Sequence, residues 1–435
     1  MIKDLFFPTL SDSKSGFYIL AFGLFFGILI RILMIYFFID HDFLHGDAAS
    51  YIKTARNIVD FGVFGLEQEA TVYRPPMYSY FVALIMFIFG NEIVNVQILQ
   101  IFVGLISGIL ITRISAIFFP NSSVWIFFLF MLSPFEAVYS VTLLSESLTS
   151  LFLVLTAFFL LTFNNLKGWV FGGISLGLCC LTRDIYLLLG FLIVLIWLVF
   201  GSDNLKLKFK YSMVFLFSMF FIISPWTIRN YYQTDSFVPI SKGRIGYDLW
   251  LGTWVKNGEY TKAFIKKTPI FPPEAPLTKN DKLFLEKALE GDPSSPIIND
   301  RMLELALERI KKEPLEVFKS YLIRSPKLWL GTRFDVFVIN KKWFPRESAS
   351  WHLIKVSLYG LNFCLMVLGL LGIIFVWRKK NPLIFLTLPI FYSALIYMPF
   401  SSFENRYSQP VYPFVLIFAA VSISIIINQV NLKRH

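Results

Sequence analysis

Two acids and four arginines stand where this chain turns from polar to apolar, and their side-chain types suggest one chemistry. Asp47 lies in Gly46-Asp47-Ala48-Ala49-Ser50-Tyr51, a few residues beyond the first long apolar run. If a helix starts there, Asp47 and Tyr51 at i and i+4 share one face. An ordinary N-cap aspartate has the same local sequence, so both readings stand. Glu146, in Leu144-Ser145-Glu146-Ser147, opens another apolar run. A carboxylate at the edge of hydrocarbon loses hydration, which marks it as a functional candidate. An acid serving only the helix dipole reads equally well. Glu136, in Ser133-Pro134-Phe135-Glu136 near the end of the preceding apolar run, is the weaker competitor for that acidic role. Arg74, in Tyr73-Arg74-Pro75-Pro76, precedes a short apolar segment on a backbone stiffened by two prolines. It can grip a phosphate, or act as an interfacial cation drawn to anionic headgroups. Arg183, Arg229 and Arg406, the last followed by Tyr407, mark three further helix ends, where each alone reads as a snorkelling anchor. Together, carboxylates among arginines suit a reaction in which an acid activates a hydroxyl or amine nucleophile while cations stabilise a departing phosphate.

Composition indicates the scaffold that carries these residues. The 435 residues are 56% hydrophobic and 16% charged, with a mean hydropathy of +0.63, which fits a polytopic membrane protein and no ordinary soluble chain. A formal charge of +11, from 40 Lys+Arg against 29 Asp+Glu, is the record of positive cytoplasmic loops, and no nucleic-acid partner is expected. Cys179, Cys180 and Cys364 all lie in apolar runs, and the four histidines show no HxxxH spacing. No disulfide framework and no metal site are therefore expected.

The first apolar run, 16–39, holds about 24 residues and lacks an A-x-A-like cleavage site, so it is expected to remain as a first span behind a cytoplasmic tail with Lys3 and Lys14. Arg31, inside this run, is expected to snorkel or to pair with a carboxylate. The segment 77–90, about 14 residues, has the length of an interfacial or re-entrant helix. With it not crossing, spans are expected at 94–119, 123–140, 144–163, 168–182, 185–200, 211–227, 354–377, 382–400 and 411–429, ten in all with the first. Lys167, Lys206/Lys208/Lys210, Arg378/Lys379/Lys380 and Lys433/Arg434 then face the cytoplasm, as do both termini. Counting 77–90 as a span would put all of those loops outside. The spans 168–182 and 185–200 are short, which lowers the Arg183-Asp184 turn toward the membrane. The polar stretch 229–351, with Pro and Gly clusters at 269–276 and 291–296, is expected as an extracytoplasmic subdomain. It contains an amphipathic helix over 295–312 closed by Pro314. The division is thus a transmembrane module 1–227 with its first outer loop at 40–93, an outer subdomain 228–352, and C-terminal helices 353–435. No repeat of fixed period is visible. This topology, set by loop lysines, places both leading acids and the four arginines on the outer face.

These residues resemble the GT-C superfamily of integral-membrane glycosyltransferases, in the branch that holds protein O-mannosyltransferases and the lipid A aminoarabinose transferase. The likeness runs through Gly46-Asp47 with Tyr51, Tyr73-Arg74-Pro75-Pro76-Met77-Tyr78, the stretch from Ser133-Pro134 to Ser145-Glu146 and Leu181-Thr182-Arg183. It continues in Pro225-Trp226 through Arg229-Asn230-Tyr231, Phe237-Val238-Pro239-Ile240, and Arg406-Tyr407 with Pro410 and Pro413. The resemblance implies an all-α membrane protein of about ten transmembrane helices, with interfacial helices in the first outer loop and a small extracytoplasmic subdomain. It also implies a polyprenyl-phosphate-linked sugar donor, its tail in a groove between helices, and sugar transfer with inversion on the outer face of the cytoplasmic membrane. By it, Asp47 is the acid that activates the acceptor and Glu146 the second acidic position. Arg74 matches a basic donor-phosphate position, and Arg183, Arg229 and Arg406 sit in recurring motif positions; with Tyr407 these are the candidate donor-phosphate residues, and Tyr51, Tyr73 and Glu136 the candidate substrate contacts. The acceptor is an envelope glycan, a lipid or a protein, and no cofactor is implied beyond the substrate. Two positions depart from the family pattern: Ala48 replaces the second acid of a pair after the first helix, and Tyr73 stands where relatives have an acid. The alternatives are a lipid-linked sugar transporter or flippase, and a noncatalytic subunit of an envelope-glycan complex. Transporters of that kind tend to show repeats and polar groups at mid-membrane, whereas here the charges collect at one edge.

Overall fold

Hydrocarbon offers backbone groups no water to bond, so apolar runs of this length must satisfy their own N–H and C=O groups within helices. The computed structural model describes residues 5–10, 13–39, 46–66, 69–163, 165–243, 245–254, 296–333, 340, 342–377, 382–400 and 405–432, and among these there are helices and turns but no strand. In chain order the α-helices are α1 Ser13–Leu33, α2 Gly46–Phe61, α3 Met77–Phe89, α4 Ile93–Phe118, α5 Ser123–Met131, α6 Pro134–Tyr139, α7 Glu146–Thr162, α8 Leu166–Thr182, α9 Leu187–Phe200 and α10 Leu205–Thr234. They continue with α11 Ile245–Trp254, α12 Pro296–Lys312, α13 Pro314–Arg324, α14 Ala349–Val376, α15 Pro382–Tyr397 and α16 Tyr412–Leu432. Five stretches among the described residues are long and apolar enough to cross a bilayer: Lys14–Phe37, Ile93–Phe118, Leu205–Thr234, Ala349–Val376 and Asn405–Gln429. Six shorter apolar helices accompany them, and the chain is a multi-pass, all-α membrane protein.

The short helix expected at 77–90 is α3, 13 residues long and ended by Gly90 at a φ of 90°, a conformation a side chain would strain. The span expected at 123–140 is not one helix. It breaks after Met131, because Pro134 has no N–H for a continuing ladder and instead takes the first position of α6 behind the cap Ser133, whose Oγ accepts from Glu136 N at 3.3 Å. Residues 134–145 form a buried short helix and turns inside the bundle. The helix expected at 211–227 is longer at both ends: α10 runs through Pro225, past Arg229, to Thr234.

Packing in the bundle relies on small residues that let helix backbones meet. Gly173 of α8 sits against the backbone carbonyl of Phe215 in α10, and Gly372 of α14 against that of Phe418 in α16; neither place has room for a Cβ. Large apolar side chains such as Phe87, Phe217, Phe221 and Leu370 remain exposed, facing outward as lipid-contacting residues do. The amphipathic helix expected at 295–312 is α12, and Pro314 both follows it and opens α13. α11 packs on α12 and α13, with Trp250, Leu251, Met302 and Ala306 buried between them. Lys3, Arg378, Lys379, Lys380, Lys433, Arg434 and the clusters at 269–276 and 291–295 lie outside the described residues.

Candidate functional site

The site is assembled from element ends. α2 buries Ala48, Tyr51, Ile52 and Ala55 and packs on α3, where the Tyr51 and Tyr78 rings meet edge to face at 4.8 Å and Tyr78 OH donates to Gln100 Oε1 at 2.8 Å. That packing fixes the first turn of α2 and with it Asp47. Arg74, on the stiff segment before α3, donates from Nη2 to Asp47 Oδ1 at 2.8 Å, and its guanidinium carbon lies 5.1 Å from the Tyr51 ring centre and 5.4 Å from that of Tyr73. The other carboxylate oxygen, Oδ2, is 2.8 Å from Arg406 Nη2. One aspartate is thus bracketed by two guanidiniums, from residues 27 positions downstream in one case and near the C-terminus in the other. Burial of Arg74 opposes its charge, but Tyr51, Asp47 with its hydrogen bond, and Tyr73 outweigh that and hold its pKa above the ordinary arginine value.

Glu146 stands at the first position of α7, fully buried. Arg183, where α8 ends, reaches it at 2.5 Å from Nη2 to Oε1, while Nε donates to Ser145 Oγ at 3.1 Å and Nη1 to Tyr397 OH at 3.4 Å. Glu146 Oε2 is buried with no hydrogen-bond partner among the described residues. Tyr407 joins the two ion pairs. Its ring centre lies 4.9 Å from the Arg406 guanidinium and 5.5 Å from that of Arg183, its hydroxyl accepts from Arg406 Nη2 at 3.1 Å, and its ring packs 5.2 Å from that of Tyr397. Asp47, Tyr51, Tyr73, Arg74, Glu146, Arg183, Arg406 and Tyr407 therefore form one continuous polar group.

Two candidates lie elsewhere. Arg229 donates from Nη1 to Thr71 O at 2.7 Å and to Asn230 Oδ1 at 3.1 Å, over the Trp226 ring at 4.6 Å, so it braces the segment that carries Tyr73 and Arg74 without reaching the carboxylates. That segment is also held by Lys242 N to Val72 O at 2.9 Å and Gly243 N to Tyr73 O at 3.2 Å. Glu136 accepts from Gln409 Nε2 at 2.9 Å and belongs to a separate buried network. Among the described residues Arg31 neither snorkels nor takes up a direct ion pair. It is fully buried and turns inward, with Nη1 donating to Gly27 O at 2.9 Å and Met131 O at 3.0 Å, and Nε to Ser140 Oγ at 3.3 Å. The physical reason is the helix break after Met131, which leaves that carbonyl without its intrahelical donor. Sequence reasoning missed Tyr397, Ser145, Arg333 and Gln409. Ser145 adjoins Glu146 and could have been drawn in by adjacency, whereas the other three carry no local signal.

Chemically, three guanidiniums and two carboxylates in one group leave a single positive charge for an anion. Among the described residues no three His, Cys, Asp or Glu side chains gather as a metal-ligand set.

Residues 73–228 match the family of dolichyl-phosphate-mannose-protein mannosyltransferases. No curated protein matches the chain. Among solved structures, the crystal structure of ArnT from Cupriavidus metallidurans bound to undecaprenyl phosphate is similar over 93% of this chain and 77% of its own, at 13% identity and a TM-score of 0.41. The apo form of that protein is similar over 95% and 77%, at 11% identity and a TM-score of 0.40. Those TM-scores are too low for a helix-by-helix correspondence. The family match falls on the stretch that contributes Tyr73, Arg74, Glu146 and Arg183.

Proposed function

We propose that this protein transfers a sugar from a polyprenyl-phosphate-linked donor to an acceptor hydroxyl or amine outside the cytoplasmic membrane, with inversion at the sugar carbon. The observation that carries this reading is the bracketed Asp47: its two oxygens are each held at 2.8 Å by a guanidinium that a phosphate could claim instead. A phosphodiester brings one negative charge to a group with one positive charge in excess. Its oxygens compete for Arg74 and Arg406, and the carboxylate they release is free to take a proton.

In the proposed step the acceptor O–H or N–H proton passes to Asp47 as the acceptor atom bonds to the sugar carbon. The bond from that carbon to the phosphate oxygen breaks on the opposite face, and its electron pair leaves with the polyprenyl phosphate. Charge growing on the leaving phosphate is met by guanidiniums already in place, which is where preorganised charge accelerates a reaction most. Glu146, with one oxygen unbonded, orients the acceptor or shares the proton-accepting role. Arg229 acts from behind, through the segment that carries Arg74. The acceptor is a glycan, a lipid or a protein. Because arginines supply the counter-charge, turnover is expected to persist in a chelating buffer.

Purified protein in lipid nanodiscs, given a polyprenyl-phosphate sugar and envelope acceptors, should release free polyprenyl phosphate. Mass spectrometry of both products identifies donor and acceptor together. Passage of intact donor across a liposome wall with no release would establish transport in its place. Asp47→Asn should lower transfer by about 100-fold or more, as loss of a general base does; wild-type rates from a normally inserted Asn variant would remove Asp47 from the role.

A further inference from the structure

Arg406 and Tyr407 stand on Asn405–Val411, a seven-residue 3-10 helix. Such runs rarely exceed three or four residues because their hydrogen bonds are poorly aligned, so a longer one needs support from outside. Here the support comes from the segment after α13. Asn405 Nδ2 donates to Lys327 O at 2.8 Å and Ser408 Oγ to Leu328 O at 2.7 Å, and Gly331 lies against the Asn405 amide with no space for a side chain.

The centre of this clamp is Arg333, which is 2% exposed. Its Nη2 donates to Ser408 Oγ at 3.0 Å, its Nη1 to Gln409 Oε1 at 3.0 Å and its Nε to Asn362 Oδ1 at 2.9 Å, with its guanidinium 4.0 Å from the Tyr412 ring centre. Asn362 in turn donates to Trp329 O at 2.8 Å and Gly331 O at 3.0 Å, and Gln409 donates to Glu136. Arg333 holds this place at a φ of 53°, a left-handed backbone that a non-glycine residue keeps only where its surroundings impose it. A planar fork that commits both terminal nitrogens to one turn and its Nε to Asn362 of α14 is a device for orientation.

We infer that Arg333 is the positioning residue for Arg406 and Tyr407. By gripping Ser408 and Gln409 it fixes the rotation of the 3-10 helix, and so the direction from which Arg406 meets Asp47 and the donor phosphate. The inference rests on the proposed use of a polyprenyl-phosphate donor, and it makes the outer segment 325–333 part of the phosphate grip. It also gives Glu136 a place, as the acceptor that holds the far side of Gln409.

The test is a double-substitution cycle on purified full-length protein, with polyprenyl phosphate release measured against donor concentration. Arg333→Lys keeps the charge but loses the fork. It should lower kcat/KM for the donor roughly tenfold, with part of the loss in kcat, as expected when a guanidinium that meets the charge developing on the phosphate is misplaced. In an Arg406→Ala background the same change should alter kcat/KM by less than about twofold, because its target is gone. Equal effects in both backgrounds, or a wild-type kcat/KM for Arg333→Lys, overturn the inference. Ser408→Ala runs the same cycle under the same criterion should Arg333→Lys not be recovered folded. Amide exchange of the 405–411 peptide without donor is a second readout: it should rise severalfold in Arg333→Lys, and an unchanged rate also overturns the inference. If the wild-type protein consumes no donor, the reading of the function falls, and exchange alone decides whether Arg333 holds the turn.

Discussion

At the scale of single residues, the two acids live in different settings. Asp47 is 28% exposed and divided between two cations, while Glu146 is wholly buried and paired with one. The difference predicts different costs. Glu146→Gln leaves Arg183 buried beside a neutral partner, and breaking such a pair costs about 3–5 kcal/mol. Thermal unfolding in detergent should show that loss, and Glu146→Leu combined with Arg183→Met should recover part of it by removing both charges. At Arg74, by contrast, the partly exposed pair contributes little to stability, on the order of 1 kcal/mol or less. Arg74→Lys should therefore melt close to wild type. It should nonetheless weaken donor binding roughly tenfold, since lysine cannot both offer a phosphate a planar fork and stack on Tyr51 and Tyr73. A donor titration of that variant separates the two effects.

At the scale of elements, the site depends on helices that stop. Arg183 ends α8, Glu146 begins α7, Asp47 begins α2, and Arg406 lies on the turn before α16. Helix termini expose backbone groups that need polar neighbours, so charged side chains concentrate there without sacrificing a buried ladder. The broken helix at 131–134 obeys the same rule, its open carbonyl taken by Arg31. Elements also have to lie close enough for their ends to meet. Gly372→Leu would drive a side chain into the Phe418 backbone, an obstacle that cannot rotate away. It should destabilise the protein by about 1–3 kcal/mol, seen as a lower melting temperature, by parting α14 from α16. Arg406 precedes α16 directly, so donor affinity should fall in the same variant.

At the scale of the whole molecule, charge distribution is expected to set orientation. Lys206, Lys208 and Lys210 should face the cytoplasm and the loop after Thr234 the exterior. Single cysteines at 206 and 235 test this in intact cells: a membrane-impermeant maleimide should label position 235 directly and position 206 only after permeabilisation. The reverse pattern would turn the proposed site inward.

Much of the architecture was legible in order along the chain. The long apolar runs, the 13-residue α3, and the helix between Pro296 and Pro314 arise from hydrophobic length and proline chemistry, which act within a few residues of each other. Residue types were legible too: Asp47, Arg74, Glu146, Arg183 and Arg406 announced themselves as charges at apolar boundaries, where placement is costly. Their pairing was not. Nothing near Asp47 says that one of its oxygens belongs to Arg406, or that Glu136 joins Gln409 and leaves the carboxylate group alone. Arg333 and Tyr397 gave no signal at all, since each acquires its meaning from neighbours distant in sequence. Local sequence determined which segments are helical and where charges stand along them, because those preferences are short-ranged. Only the tertiary structure decided which ends meet, because that depends on which helix faces pack closely enough to bring them there.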